Sequence, residues 1–264
     1  MGTEILRDDH PSLTRINAVL GDCPAGVPMT SAWLESKGVY PQLLQRYKET
    51  GWLESLGRGI WIRAGTHPTL AGAIFALQRI GINAYPAARS ALELQGRSHY
   101  VPSGHAPVLR ISLAAGQRMP QWFRQMAFAH NLQMLNASAL FEPVSAGLSE
   151  VRSEGVEIKL SSPERAMLEY CQLLPKHADF EEARQLMEGL PTLRPRLVQS
   201  TLQACKSVKA KRLFLALASA VGHGWFSELD QEQIDLGASN RVLPIEGVPH
   251  PVYDITVPNT WIVQ

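Results

Sequence analysis

Apolar positions recur at helical spacing in the front of the chain, give way to short alternating runs in the middle, and return to helical spacing behind them. Ser12 precedes Leu13, Ile16, Val19 and Leu20, a series that predicts a first helix with Ser12 as its N-cap and Gly21 as its stop. After the break Pro24-Ala25-Gly26-Val27-Pro28, residues 30–37 carry Trp33 and Leu34 and end at Gly38, the residue that most easily takes a left-handed helix end. Pro41 then opens a third helical run over 41–50, where a first turn tolerates proline, and Gly51 closes it. Two strand-like runs follow, Leu53-Glu54-Ser55-Leu56 and Ile60-Trp61-Ile62-Arg63, around the turn Gly57-Arg58-Gly59.

Three helices followed by such a hairpin form the plan of a winged helix-turn-helix. In that plan the helix after the tight turn enters the major groove of DNA and the hairpin lies along the sugar-phosphate backbone. At 100° per residue, Leu43, Leu44 and Tyr47 fall on one side of the 41–50 helix, and Gln42, Gln45, Arg46 and Glu49 on the other. The outer set suits base edges: Gln pairs with adenine, Arg with guanine, and Glu accepts from the cytosine amino group. Lys48 at the edge of that face, and Arg58 and Arg63 on the hairpin, are placed for phosphates.

Two more helical runs are expected over 69–80 and 86–95, with Leu70, Ile74, Leu77, Ala88, Ala91 and Leu92 as core stripes. Strand candidates follow at 108–113, 133–135 and 156–160, and helical runs at 163–174, 179–188, 194–207 and 210–221. A terminal strand is expected near 252–257. The fold class is therefore α+β: a winged helix-turn-helix over 10–66, then a mixed α/β domain over 67–264 with a sheet and a helical bundle. The helices of 68–96 fit either side of that boundary. The stretch Ser162-Pro163-Glu164 reads as an efficient helix start with no function attached. Lys206, Lys209, Lys211 and Arg212 read as a solvated helix face.

Composition narrows the function classes. The chain has 264 residues, 45% of them hydrophobic and 19% charged, which fits one large or two small globular domains. It shows neither a membrane-spanning run nor a secretory leader, and Cys23, Cys171 and Cys205 lie far apart, so a cytoplasmic protein with reduced thiols and no bound metal is expected. The net charge of +1 hides a segregation: residues 65–135 hold six arginines (Arg79, Arg89, Arg97, Arg110, Arg118, Arg124) against the single carboxylate Glu93. The last 129 residues hold 12 basic and 16 acidic side chains. Arginine's planar fork suits phosphate oxygens, which makes Arg89, Arg97, Arg110, Arg118 and Arg124 a second tier of candidate phosphate contacts. Phosphate-loop, dinucleotide-binding, zinc-protease and nucleophile-elbow motifs are all missing, so no cofactor and no catalysis are expected.

The sequence resembles the AbiEi-type antitoxins of abortive-infection, type IV toxin–antitoxin systems. The resemblance rests on three stretches: the winged helix ending in Arg58-Gly59-Ile60-Trp61, the run from Ala84 through Gly96, and the junction Ile158-Lys159-Leu160-Ser161-Ser162-Pro163-Glu164-Arg165-Ala166. It implies a non-enzymatic antitoxin whose N-terminal domain binds inverted repeats in double-stranded promoter DNA and represses its operon. The C-terminal domain would be tied to neutralising a nucleotidyltransferase-like toxin. The DNA-reading positions would then be Gln42, Gln45, Arg46 and Lys48, with Arg58 and Arg63 on the wing. Three alternatives remain beside it: a nucleic-acid-directed enzyme built on His99, Ser103 and His105, an orphan transcriptional regulator, and a protein-docking winged helix.

Overall fold

The computed structural model describes residues 11–97, 108–238 and 242–262. Within them the chain forms two compact units. The first comprises the chain up to Ile82 together with Met119–His130 and Arg152–Ile158, and the second comprises the remainder. The first continuous stretch of the first unit runs to Ile82, within the helices of 68–96 that fit either side of the expected boundary, and the chain returns twice to that unit.

In the first unit, α1 (Pro11–Asp22) buries Ile16, Val19 and Leu20. It runs through Gly21, the expected stop, and includes Ser12, the expected cap. A glycine in a last turn costs only about 1 kcal/mol, which burial of the apolar face outweighs. Strand β1 (Met29–Thr30) passes directly into α2 (Ser31–Ser36), where the Thr30 hydroxyl accepts from the Trp33 N–H at 3.2 Å and caps the helix. Helix α2 ends on a double clasp. The Gly38 N–H donates to the Glu35 carbonyl at 2.8 Å and the Val39 N–H to the Leu34 carbonyl at 2.9 Å, with Leu34 and Val39 both fully buried. This clasp needs the left-handed backbone that Gly38 adopts at φ 78°.

Helix α3 (Pro41–Glu49) follows, then β2 (Leu53–Gly57) and β3 (Ile60–Arg63), which pair antiparallel with a bulge between Ser55 and Gly57. Strand β1 adds antiparallel to the other edge of β3, giving the order β1-β3-β2. Helix α4 (Leu70–Arg79) belongs to this unit for a steric reason: a Cβ at Gly72 would lie 2.3 Å from the Gly26 carbonyl oxygen. Only glycine lets the helix sit that close to the loop after α1.

The second unit begins with β4 (Ala84–Pro86), α5 (Ala88–Leu94) and β5 (Leu109–Leu113). After α6 (Gln121–Arg124), which lies in the first unit, come β6 (Leu132–Asn136), α7 (Ala137–Leu140), β7 (Leu148–Ser153) and β8 (Val156–Ser161), of which the stretch Arg152–Ile158 is counted with the first unit. Strand β5 is central to a three-stranded sheet, antiparallel to β4 and parallel to β6. Helices α8 (Pro163–Leu173), α9 (Phe180–Glu188), α10 (Pro195–Ala204) and α11 (Val208–Val221) form the bundle. The tail closes with β9 (Val248–Pro249) antiparallel to β10 (Thr256–Val257), shorter than the strand expected over 252–257. Among the described residues, no helix is long and apolar enough to cross a membrane.

Helix α8 is the hub of the second unit, packed by α5, α9, α10 and α11. Its start is as expected, with the Ser162 hydroxyl accepting from the Arg165 N–H at 3.3 Å and Pro163 in the first turn. Burial pushes the Glu164 carboxyl up, but hydrogen bonds from Arg194 and its neighbours outweigh that and hold it below the usual carboxylate range. Deeper in the helix Arg165 and Glu169 are fully buried and paired at 2.8 Å. Arg165 Nη1 also donates to the Val144 and Ala146 carbonyls at 2.6 and 2.7 Å. The other ligands of Glu169 are the Ser161 hydroxyl at 3.0 Å and the Ala88 N–H at 2.9 Å. One carboxylate thus ties α5, β8 and α8 together.

The charge run at 206–212 is not the solvated face expected. Lys211 and Arg212 are buried, Arg212 donates to the carbonyls of Leu236, Gly237 and Asp254, Lys209 donates to those of Gln172 and Leu174, and Lys206 pairs with Glu142. Lys209 and Arg212 stitch the end of α8 and the tail to α11, which requires carbonyl partners distant in sequence.

Replacing Glu169 by alanine would leave the Arg165 charge uncompensated and two donors unpaired. The expected result is a loss of about 3–5 kcal/mol in unfolding free energy, measured by urea denaturation. A change within experimental error would show that the buried pair holds nothing together.

Candidate nucleic-acid interface

Helix α3 is seated by its inner side. Leu44 and Tyr47 are 4% and 2% exposed, while Gln42, Gln45, Arg46, Lys48 and Glu49 are all exposed and Leu43 is half-buried at the margin. Burial pushes the Tyr47 phenol up, as expected for a ring packed into the interior. Arg46 and Lys48 lie in the last turn, where the helix dipole favours cations. The Gln45 amide nitrogen donates to a Glu49 carboxylate oxygen at 2.9 Å. A two-pronged Gln45 contact to adenine therefore requires release from Glu49, whereas its free carbonyl oxygen is ready to accept.

The turn at the hairpin tip is fixed to the start of α2. The Ser31 N–H donates to the Gly59 carbonyl at 2.9 Å, and the Ser31 hydroxyl accepts from the Trp61 indole N–H at 3.0 Å. Arg58 is exposed at that tip and Arg63 is exposed at the far end of β3. Glu54, beside them, is engaged by the Gly65 N–H at 2.9 Å. Residues 40–63 hold four basic side chains, Arg46, Lys48, Arg58 and Arg63, against Glu49 and Glu54. The first 64 residues hold 7 basic and 7 acidic side chains, a balance that conceals a basic stretch at the helix and hairpin. Asp22, one of the compensating acids, is already bound to Lys37 at 2.6 Å.

The second tier of arginines divides. Arg89 and Arg110 are 8% and 6% exposed and cannot meet a phosphate. Arg89 pairs with Glu93 and Glu182, and Arg110 donates to the Gln133 side chain and the His177 carbonyl while lying near the Tyr170 ring. Both are withdrawn as phosphate contacts, because a buried arginine keeps its charge by holding internal acceptors. Arg97 is half-buried with Thr192 at 3.4 Å, and Arg118 and Arg124 are exposed. His99, Ser103 and His105, the basis of the enzymatic alternative, lie outside the described residues. Among the described residues, no group of three or more His, Cys, Asp or Glu side chains is arranged to hold a metal ion.

Two features of this surface escaped the sequence reading. One is the Ser31–Trp61 clamp, which joins residues thirty apart. The other is Tyr40, 59% exposed at the mouth of α3.

Comparison with known proteins bears on nearly the whole chain. Residues 12–103 match the family described as transcriptional regulator, AbiEi antitoxin N-terminal domain, and residues 107–258 match transcriptional regulator, AbiEi antitoxin, type IV toxin–antitoxin system. No curated protein matches significantly. Among solved structures, the crystal structure of the RV2827C protein from Mycobacterium tuberculosis aligns over 93% of this chain and 90% of that one. Its TM-score is 0.56 at 13% identity, a likeness of fold.

If the clamp holds the wing, Ser31→Ala lowers the unfolding free energy by about 1 kcal/mol and speeds exchange of the Trp61 indole proton, read by NMR. An unchanged exchange rate would mean that the hairpin is held by other contacts.

Proposed function

The chain belongs to the AbiEi family of transcriptional-regulator antitoxins of type IV toxin–antitoxin systems, and on that premise we propose that it represses its own operon by binding inverted repeats in the promoter through its winged helix. The observation that carries the proposal is the outward side of α3. Gln42, Gln45, Arg46 and Lys48 are exposed together on a helix whose opposite side, Leu44 and Tyr47, is buried. In this reading Gln42, Gln45 and Arg46 meet base edges, and Lys48, Arg58 and Arg63 meet phosphates. Arg118, Arg124 and the half-buried Arg97 are the remaining candidates for backbone contacts. The second unit is assigned the antitoxin role against a nucleotidyltransferase-like toxin, and no catalytic step of its own is invoked.

The test is a mobility-shift titration with duplex DNA from immediately upstream of the coding region and a shuffled duplex of equal length. Arg46→Ala should weaken binding to the upstream duplex about tenfold or more and reduce the preference over the shuffled one. Arg58→Ala should weaken binding to both alike and lower the slope of log affinity against log salt by about one. Unchanged affinity in both variants would refute the assignment of the reading helix and the wing.

A further inference from the structure

At the entrance to α3 the chain exposes an aromatic ring, that of Tyr40, over more than half its surface. Among the large apolar side chains left exposed in the described residues, Tyr40, Ile80, Val242, Val248 and Val252, Tyr40 is the one aromatic. Its backbone is held on both sides. Val39 before it is fully buried and locked by the clasp at the end of α2, and the Tyr40 carbonyl accepts from the N–H groups of Leu43 and Leu44 at 2.9 and 3.0 Å. Its side chain, in contrast, caps nothing. The base of the side chain is thus rigid, while its hydroxyl has no hydrogen-bond partner among the described residues.

Tyr40 is the N-cap residue of a nine-residue helix, two positions ahead of the exposed Gln42. In helix-turn-helix docking the first residues of the reading helix lie at the base edges. A residue just ahead of them reaches the rim of the groove, where the sugar-phosphate backbone runs. Tyrosine is among the side chains that donate to phosphate oxygens, and a neutral O–H donating to an anionic oxygen makes a charge-assisted hydrogen bond. The exposed ring is free to lie against the backbone with its hydroxyl on a phosphate.

We propose that Tyr40 is a positioning residue of the DNA interface, its hydroxyl donating to a backbone phosphate oxygen of duplex DNA at the N-terminal end of α3. This deepens the winged-helix reading and rests on it. A neutral donor displaces no counter-ion, so its contribution differs in kind from those assigned to Lys48 and Arg58.

The experiment compares the full chain, Tyr40→Phe and Tyr40→Ala on the upstream and shuffled duplexes over a range of salt. Thermal unfolding serves as the check on folding, and an exposed side chain should leave the midpoint unchanged. Tyr40→Phe should bind both duplexes about tenfold more weakly with the salt slope unaltered. Tyr40→Ala should bind at least as weakly. If Phe binds as tightly as Tyr, the hydroxyl is idle and the proposal fails. A loss confined to the upstream duplex would make Tyr40 a base reader, and a fall in salt slope would place the effect on a neighbouring cation; either overturns the phosphate assignment. If the unsubstituted chain binds neither duplex, the winged-helix reading falls and this one with it. Tight binding by the unsubstituted chain with an indifferent Tyr40→Phe removes only the present proposal.

Discussion

Everything proposed for the first unit depends on how α3 is held. The burial of Leu44 and Tyr47 fixes the rotation of a nine-residue helix about its own axis, and that rotation decides which side chains face water. An isolated helix of this length would not persist, so its apolar side is the condition for its existence as well as for its orientation. The clasp through Gly38 and Val39 sets where the helix starts, and the Ser31–Trp61 clamp sets where the wing lies relative to α2. Side chains on loops would lack this definition, whereas those proposed to read bases stand on a rigid element.

The second unit uses charge in the opposite manner. Arg165, Arg110 and Arg212 are buried and spend most of their donors on carbonyls drawn from segments far apart in sequence, with Glu169 on the same helix as the carboxylate partner of Arg165. Single-partner removal at such sites is costly because a bare charge is left in the interior. Such an interior specifies one arrangement of α5, β8 and α8 around Glu169. It also means that net charge along the sequence says little about the field at the surface, since several of the contributing cations never reach it.

The longer helices are legible because their signals are local, whereas the four-residue α6 and α7 are too short to show a period. Proline at the first turn of α3 and α8, glycine after α2, and apolar spacing in α9 to α11 place the elements within a few residues of where they lie. The outward side of α3 was legible for the same reason, as a 3.6-residue period needs no knowledge of the partner. Short strands were not. β1, β4 and β9 span two or three residues and are defined by partners elsewhere in the chain, and β4 ends in a proline that reads as a helix start. Arg89 and Arg110 looked like phosphate contacts because their internal acceptors, Glu182 and the His177 carbonyl, lie 93 and 67 positions away. The exposure of Tyr40 has no local signal, because whether an aromatic is covered is a tertiary fact.

The most direct test of the central claim is amide hydrogen exchange of the intact chain with and without its upstream duplex. The account predicts slowed exchange concentrated in α3 and the β2–β3 hairpin, residues 40–63, when DNA is added. Protection elsewhere in the chain with residues 40–63 unaffected would contradict it.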